Sequence, residues 1–342
     1  MKATGKILVL AYPDTFVTMS TEWICKVLPW FGLGTKEYIK AGHAALILIE
    51  NSTGKSRYFD FGRYITPAGH GRVRGENTDA ELALPIRAEF TTDGSLKNVS
   101  EFLLWLDQHP EKTHGAGRLL ASVSDAIDYQ RAFDYISAMQ ERGIIPYGAF
   151  NANGSNCARF VTDALLAATT DSRIRKSLQW NKRFTPSTVG NVVKGNAERH
   201  TYQVRNGIIE RYTGSALKEN LTNYFHRKTA NENVEKTPLV VDSFEGSNYI
   251  QKLSGTGSSA WFELNQTELA PQHFRIRRYN EFGVIDYDGV YVSEVFDKSQ
   301  PFVFTYDSHC LYCHIIQNNI KIKLRGIGPF AKFSLRQKQR SA

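Results

Sequence analysis

Gly154-Ser155-Asn156-Cys157-Ala158-Arg159-Phe160-Val161 carries a polar, glycine-bearing loop straight into an apolar run that continues through Ala164-Leu165-Leu166. The change of pattern reads as a helix start. Ser155 or Asn156 is the expected cap, because a short side-chain oxygen can accept from the free amides of the first turn. Cys157 then falls in that first turn, where unpaired N–H groups and the helix dipole favour negative charge. A thiolate is the nucleophilic form of cysteine, so the position suits covalent chemistry. A lone cysteine on a helix is more often a packed core residue. A partner upstream tips the balance.

That partner is His43, in Ala41-Gly42-His43-Ala44-Ala45-Leu46-Ile47-Leu48-Ile49-Glu50, a buried strand ending in a polar turn. Ser56-Arg57-Tyr58-Phe59-Asp60-Phe61-Gly62 reads as the next strand, and the connection between them suits a hairpin. Asp60 then lies beside His43 on one face. Nucleophile, base and a carboxylate that orients the base are the groups thiol catalysis requires.

Gly42-His43 leading an apolar strand, followed far downstream by Asn156-Cys157-Ala158-Arg159-Phe160-Val161, resembles the circularly permuted papain-like proteins. These include the permuted NlpC/P60 and lecithin:retinol acyltransferase-like groups, in which His precedes Cys. The flanks resemble an uncharacterised bacterial family that couples this domain to a β-rich tail. The resemblance covers about residues 40–167. It implies a third polar residue on the strand after the histidine; Asp60 is the closest match and Tyr58 a substitute. It also implies amide hydrolysis or acyl transfer through a Cys thioester, although some family members are inactive.

The expected fold class is α+β. A permuted papain-like domain with an antiparallel sheet spans 1–228, a polar linker 229–238, and a small mostly-β domain 239–342. Residues 6–12 read as the first strand, 21–27 as a short helix holding Cys25, and 81–88 as a strand. An amphipathic helix is expected over 98–108. A strand over 118–123 leads to a helix capped by Ser124 or Asp125 and ending at Gly143. Asn206-Gly207 marks a hairpin, the strongest short-range signal of its kind. Arg63 to Gly75 is rich in glycine and reads as a loop. Its Arg63 and Arg72 are candidates to bind a substrate carboxylate or phosphate, and its His70 is a rival base, ranked below His43 because glycine neighbours hold a ring poorly. Tyr147 and Asn156 are candidate oxyanion or substrate contacts.

The chain has 342 residues, a formal charge of +8 and four cysteines, Cys25, Cys157, Cys310 and Cys313. Four scattered cysteines do not make a disulfide scaffold, so a reducing, cytoplasmic setting is expected. No apolar stretch reaches the roughly 20 residues that a membrane span needs. Lys321 to Arg340 holds seven basic residues and no acidic one, a pattern suited to an acidic protein or an anionic surface. Cys310-Leu311-Tyr312-Cys313-His314 spells a haem-attachment pattern. Its continuation reads as a β-hairpin turning at Asn318-Asn319, so no metal or cofactor is expected. The function expected is a cysteine-dependent hydrolase on an amide, peptide-like bond, with Cys157 as nucleophile, His43 as base and Asp60 as orienter. An acyltransferase or thioesterase at the same site, or a non-catalytic scaffold, are the alternatives.

Overall fold

The computed structural model describes residues 3–19, 22, 30, 34–35, 37–183, 185–197, 200–226 and 249–341. Apart from Glu22, the expected helix over 21–27 with Cys25, and the linker 229–238, lie outside the described residues. The chain divides into two compact units. The first takes in residues up to 62, 71–75 and 82–233; the second takes in 63–70, 76–81 and 234 onward. Two short segments within 1–228 therefore group with the second unit.

The first unit is built on an eight-stranded sheet. Its strands in chain order begin with β1 (Gly5–Tyr12), β2 (Val17–Thr18), β3 (Tyr38–Ile39), β4 (His43–Glu50), β5 (Ser56–Gly62) and β6 (His70–Gly75). Helices α1 (Val99–Gln108) and α2 (Pro110–Thr113) follow, then β7 (Leu119–Ile127), α3 (Tyr129–Glu141), β8 (Ile145–Pro146) and α4 (Cys157–Ala168). Helices α5 (Ser172–Lys182) and α6 (Thr188–Lys194), the hairpin β9 (Tyr202–Arg205) and β10 (Ile208–Arg211), and α7 (Ala216–Phe225) complete it. The sheet order is β10-β9-β7-β1-β4-β5-β6-β8, while β2 and β3 pair separately. Strand β1 is central and antiparallel to both β4 and β7. Its side chains alternate between two cores. Ile7, Val9 and Ala11 pack with α3 to α6; Leu8, Leu10 and Tyr12 pack with α1. Both faces are covered, so β1 and β4 are apolar along nearly their whole length.

Several local expectations change. The helix α3 is capped by Asp128, whose side chain accepts from the Arg131 amide, because β7 runs on to Ile127 and absorbs Ser124 and Asp125. Residues 81–88 form no strand. A single 3-10 turn, Ala80–Leu82, leads into an extended segment that buries Leu82, Ile86 and Ala88 against α1. The stretch 70–75, read as loop, is β6 and pairs with β5, placing Arg74 opposite Asp60. Asn206 and Gly207 make the expected turn, both at positive φ.

The second unit is a nearly closed, mostly-β barrel. Its strands are β11 (Ile250–Leu253), β12 (Ala260–Asn265), β13 (His273–Tyr279), β14 (Ile285–Val292), β15 (Val303–His309), β16 (Tyr312–Gln317) and β17 (Ile320–Pro329). They are ordered β11-β12-β13-β14-β17-β16-β15. The end strands approach each other, and the Phe304 amide donates to Gln251 Oε1 at 2.5 Å. Phe262, Leu264, Ile276, Ile315 and Leu324 fill the interior. Arg278, buried, is ringed by Asp79, Glu81 and Asp286 at 2.8–2.9 Å. The basic C-terminal stretch is β17 followed by helix α8 (Phe330–Ser341). The Cys310 motif is the β15–β16 turn and the start of β16. Burial pushes the Cys310 and Cys313 thiols up to about 12. His309 packs on Tyr312 with ring centroids 4.0 Å apart. Among the described residues, no group of three or more His, Cys, Asp or Glu side chains is placed to hold a metal ion.

Candidate active site

Asn156 is the cap of α4; its Oδ1 accepts from the Arg159 amide at 2.8 Å. Cys157 is therefore the first helical residue, and an amide at that position has no intrahelical acceptor. The loop before it is cross-linked. Ser155 N–H donates to Pro146 O and Gly148 N–H to Ser155 O, each at 3.0 Å. The Arg159 guanidinium then binds the carbonyls of Ala149, Asn151 and Gly154. From outside the loop, the Glu22 carboxylate accepts the amides of Ala149 and Phe150 at 2.9 and 3.0 Å. Neither Arg159 nor Glu22 was evident as a positioning group in the sequence. Both hold the backbone that presents the sulfur.

His43 is the first residue of β4. Gly42 before it has φ +75°, and a Cβ there would stand 2.8 Å from Thr188 Oγ1, so only glycine fits without strain. The strand end leaves the His43 ring between Asp60 and Cys157. Asp60 pairs with Ala45, two residues on from His43, which puts both side chains on one face. His43 Nε2 lies 3.4 Å from Asp60 Oδ2. The Cys157 sulfur lies close enough to the same ring to act on its charge. The Tyr12 ring stacks over His43 with centroids 6.4 Å apart.

Asp60 is fully buried and does not stand alone. Arg74 grips it with two bonds, Nε to Oδ1 at 3.0 Å and Nη2 to Oδ2 at 2.6 Å. Tyr58, the substitute candidate, donates its hydroxyl to Oδ2 at 3.1 Å. Burial alone would raise the Asp60 carboxyl, but the Arg74 charge, with hydrogen bonds from His43 and Arg74, holds it well below the usual carboxylate range. Burial also pulls the His43 imidazole down. Hydrogen bonds to Asp60 and Cys157 and their negative charges outweigh it and raise His43 to about 9. At neutral pH the imidazole holds its proton.

A cavity of about 240 Å³ opens beside Cys157 and Asn156. Its described walls are mainly apolar, with Val17, Met19, Ile39, Phe150 and Tyr224 prominent, and Glu22 is the one carboxylate among the described lining residues. Tyr147 also lines it while stacking on Phe61, with centroids 5.9 Å apart. Of the expected substrate contacts, Asn156 and Tyr147 are at the cavity. Arg72 is not: it is buried on β6 opposite Gly62. Arg63 groups with the second unit, as does His70, whose Nδ1 lies 3.0 Å from Ala68 O. The loop expected to bring these side chains to substrate is strand β6 in its second half, which fixes Arg72 in the sheet.

The first unit is thus an α+β domain whose antiparallel sheet brings His43 and Asp60 to a helix headed by Cys157. Residues 7–174 match the family model described as Type VI secretion system effector TseH-like, and residues 250–339 match the DUF6695 C-terminal domain. The chain is thus similar to the TseH-like family over about its first half and to the DUF6695 C-terminal domain near its end. A solved structure, titled as the crystal structure of the Type VI secretion system effector TseH, aligns at 16% identity. The alignment covers 62% of this chain and 99% of that one, with a TM-score of 0.38. No curated protein matches this chain.

Proposed function

We propose that the first unit is a cysteine-dependent hydrolase of papain-like arrangement that cleaves an amide bond through an acyl-thioester. The observation that carries this is the buried line Arg74–Asp60–His43–Cys157, ending at the wall of an open cavity. Cys157 Sγ attacks the carbonyl carbon, and the carbonyl π pair moves onto oxygen. The Cys157 amide, at the helix start, donates to that oxyanion. His43 gives its proton to the leaving amine as the C–N bond breaks. Water then loses a proton to His43, attacks the thioester and releases the acid and the thiolate.

The mainly apolar described walls and the Glu22 carboxylate favour an uncharged acyl group at the cavity, in place of the acidic one that Arg63 and Arg72 suggested. The TseH-like match supports a role as a delivered effector, so we place its target outside the producing cell's cytoplasm. Secretion lost on inactivating a Type VI apparatus would test that placement.

The direct test is trapping. Mixed with a panel of acyl p-nitroanilides, the protein should gain the acyl mass on the Cys157 peptide, and hydroxylamine should release it. A full turnover with no thioester and no dependence on Cys157 would reject the mechanism. The pH dependence follows from His43. Its folded value is raised, so the imidazolium is present below it and lost as pH rises through about 9. Hydrolysis by this route should therefore fall on an alkaline limb centred near 9, measured as kcat/KM against pH.

A further inference from the structure

Asp60 is a buried carboxylate that its histidine touches only at 3.4 Å, a long contact for a pair that must hold one geometry. Its shorter, better-directed bonds come from Arg74. The guanidinium spans both carboxylate oxygens, so it fixes the plane of the group as well as its position. Arg74 is itself fixed: it is buried on β6, its register against Asp60 is set by the β5–β6 pairing, and Nη2 also donates to Lys112 O at 3.1 Å. The groups that face this pair are Tyr58 on its own strand, His43 on β4 and Tyr12 on β1. Of these, only Arg74 is a permanent cation.

We propose that Arg74 is a positioning residue of this site, whose guanidinium fork holds the Asp60 carboxylate ionised and turned toward His43. The step depends on the hydrolase reading only for its effect on turnover; the arrangement itself can be tested without substrate. Without the cation, the largest attraction that offsets burial is gone and the Asp60 carboxyl shifts up. A carboxylate less firmly held and less fully ionised supports the imidazolium less, and the Cys157 sulfur loses part of the positive charge beside it.

The experiment is a histidine-labelled NMR titration of the full chain, with the His43 resonance assigned by His43→Gln. Wild type should titrate near 9. Folded Arg74→Gln should move that midpoint down by about one pH unit or more, because the largest attraction on Asp60 is gone. A midpoint that is unchanged or higher in folded Arg74→Gln would overturn the proposal. Arg74→Lys keeps the charge and loses the fork, and serves where the Gln variant does not fold. Its midpoint should stay within about half a unit of wild type while kcat falls about tenfold at similar KM. Full kcat in Arg74→Lys would show that the fork does nothing. If instead Cys157→Ser retained turnover, the hydrolase reading would fail while the titration result for Arg74 still stood.

Discussion

Cys157→Ala should abolish hydrolysis, with kcat/KM lowered on the order of 10⁵-fold, and His43→Ala should approach the same floor. The two losses should not add. Sulfur and imidazole act as one unit, so the double variant should be no slower than either single variant, as expected for groups that serve a single step. Cys157 is part of a packed core yet borders the cavity, so alanine there costs little volume and the fold should persist. Thermal unfolding of Cys157→Ala within a few degrees of wild type would separate lost chemistry from lost structure. Cys310 and Cys313 of the barrel are poor substitutes for Cys157, because both are buried and their thiols are raised to about 12. Residual turnover within tenfold of wild type in Cys157→Ala would mean that another group does the work.

Asp60→Ala should damage both stability and activity. It leaves the Arg74 guanidinium buried without its anion, and breaking such a pair costs about 3–5 kcal/mol. The sign with pH is set by the depressed Asp60. Its stabilising contribution is present above the ordinary carboxylate range and is lost as pH falls through the lower folded value. The raised His43 acts oppositely: its contribution is full below about 6.5 and lost as pH rises through about 9. Urea unfolding at pH 7 should therefore show a large drop for Asp60→Ala, and the difference from wild type should narrow toward pH 2. Activity should fall on the order of 10³–10⁴-fold, the scale on which an orienting carboxylate acts in hydrolytic triads. Asp60→Asn, which keeps the shape and loses the charge, should retain more stability and little more activity. An Asp60→Ala variant as stable as wild type at pH 7 would contradict the buried pairing.

Much of the site was legible because its signals are local. Asn156 before an apolar helical run marks the cap, and the cap fixes Cys157 at the first turn. The apolar run after His43 marks its strand, and a five-residue connection from Asn51 to Lys55 is enough to set Asp60 on the same face. Arg74 was hidden by its neighbours. Gly71 and Gly75 made the stretch look like a loop, whereas both are needed for close strand contact. A Cβ at Gly75 would stand 2.6 Å from the Phe59 ring, and one at Gly71 would stand 2.8 Å from Gly62 O. The period-two spacing of Arg72-Val73-Arg74 was the signal that could have shown a strand.

Helix α6 was hidden for a different reason. Thr188, Val189, Val192 and Val193 are β-branched and Gly190 is a poor helix former, so local preference argues against it. Packing of Val189 and Val192 in the core over β1, with Ser187 accepting from the Gly190 amide at 3.0 Å, overrides that preference. The segment 81–88 errs the other way. Its alternating apolar residues face α1 as a strand would, but its backbone joins no sheet; the Ala88 amide donates instead to Gly54 O at 2.8 Å.

The decisive measurement is the rate at which iodoacetamide alkylates Cys157 in the folded chain, followed by peptide mapping, with Cys310 and Cys313 as unreactive internal references. A Cys157 paired with a protonated His43 should react at pH 7 at least about tenfold faster than free cysteine, and His43→Ala should remove that advantage. A Cys157 that reacts no faster than a free thiol, with no response to His43→Ala, would leave the fold standing and the chemistry without its nucleophile.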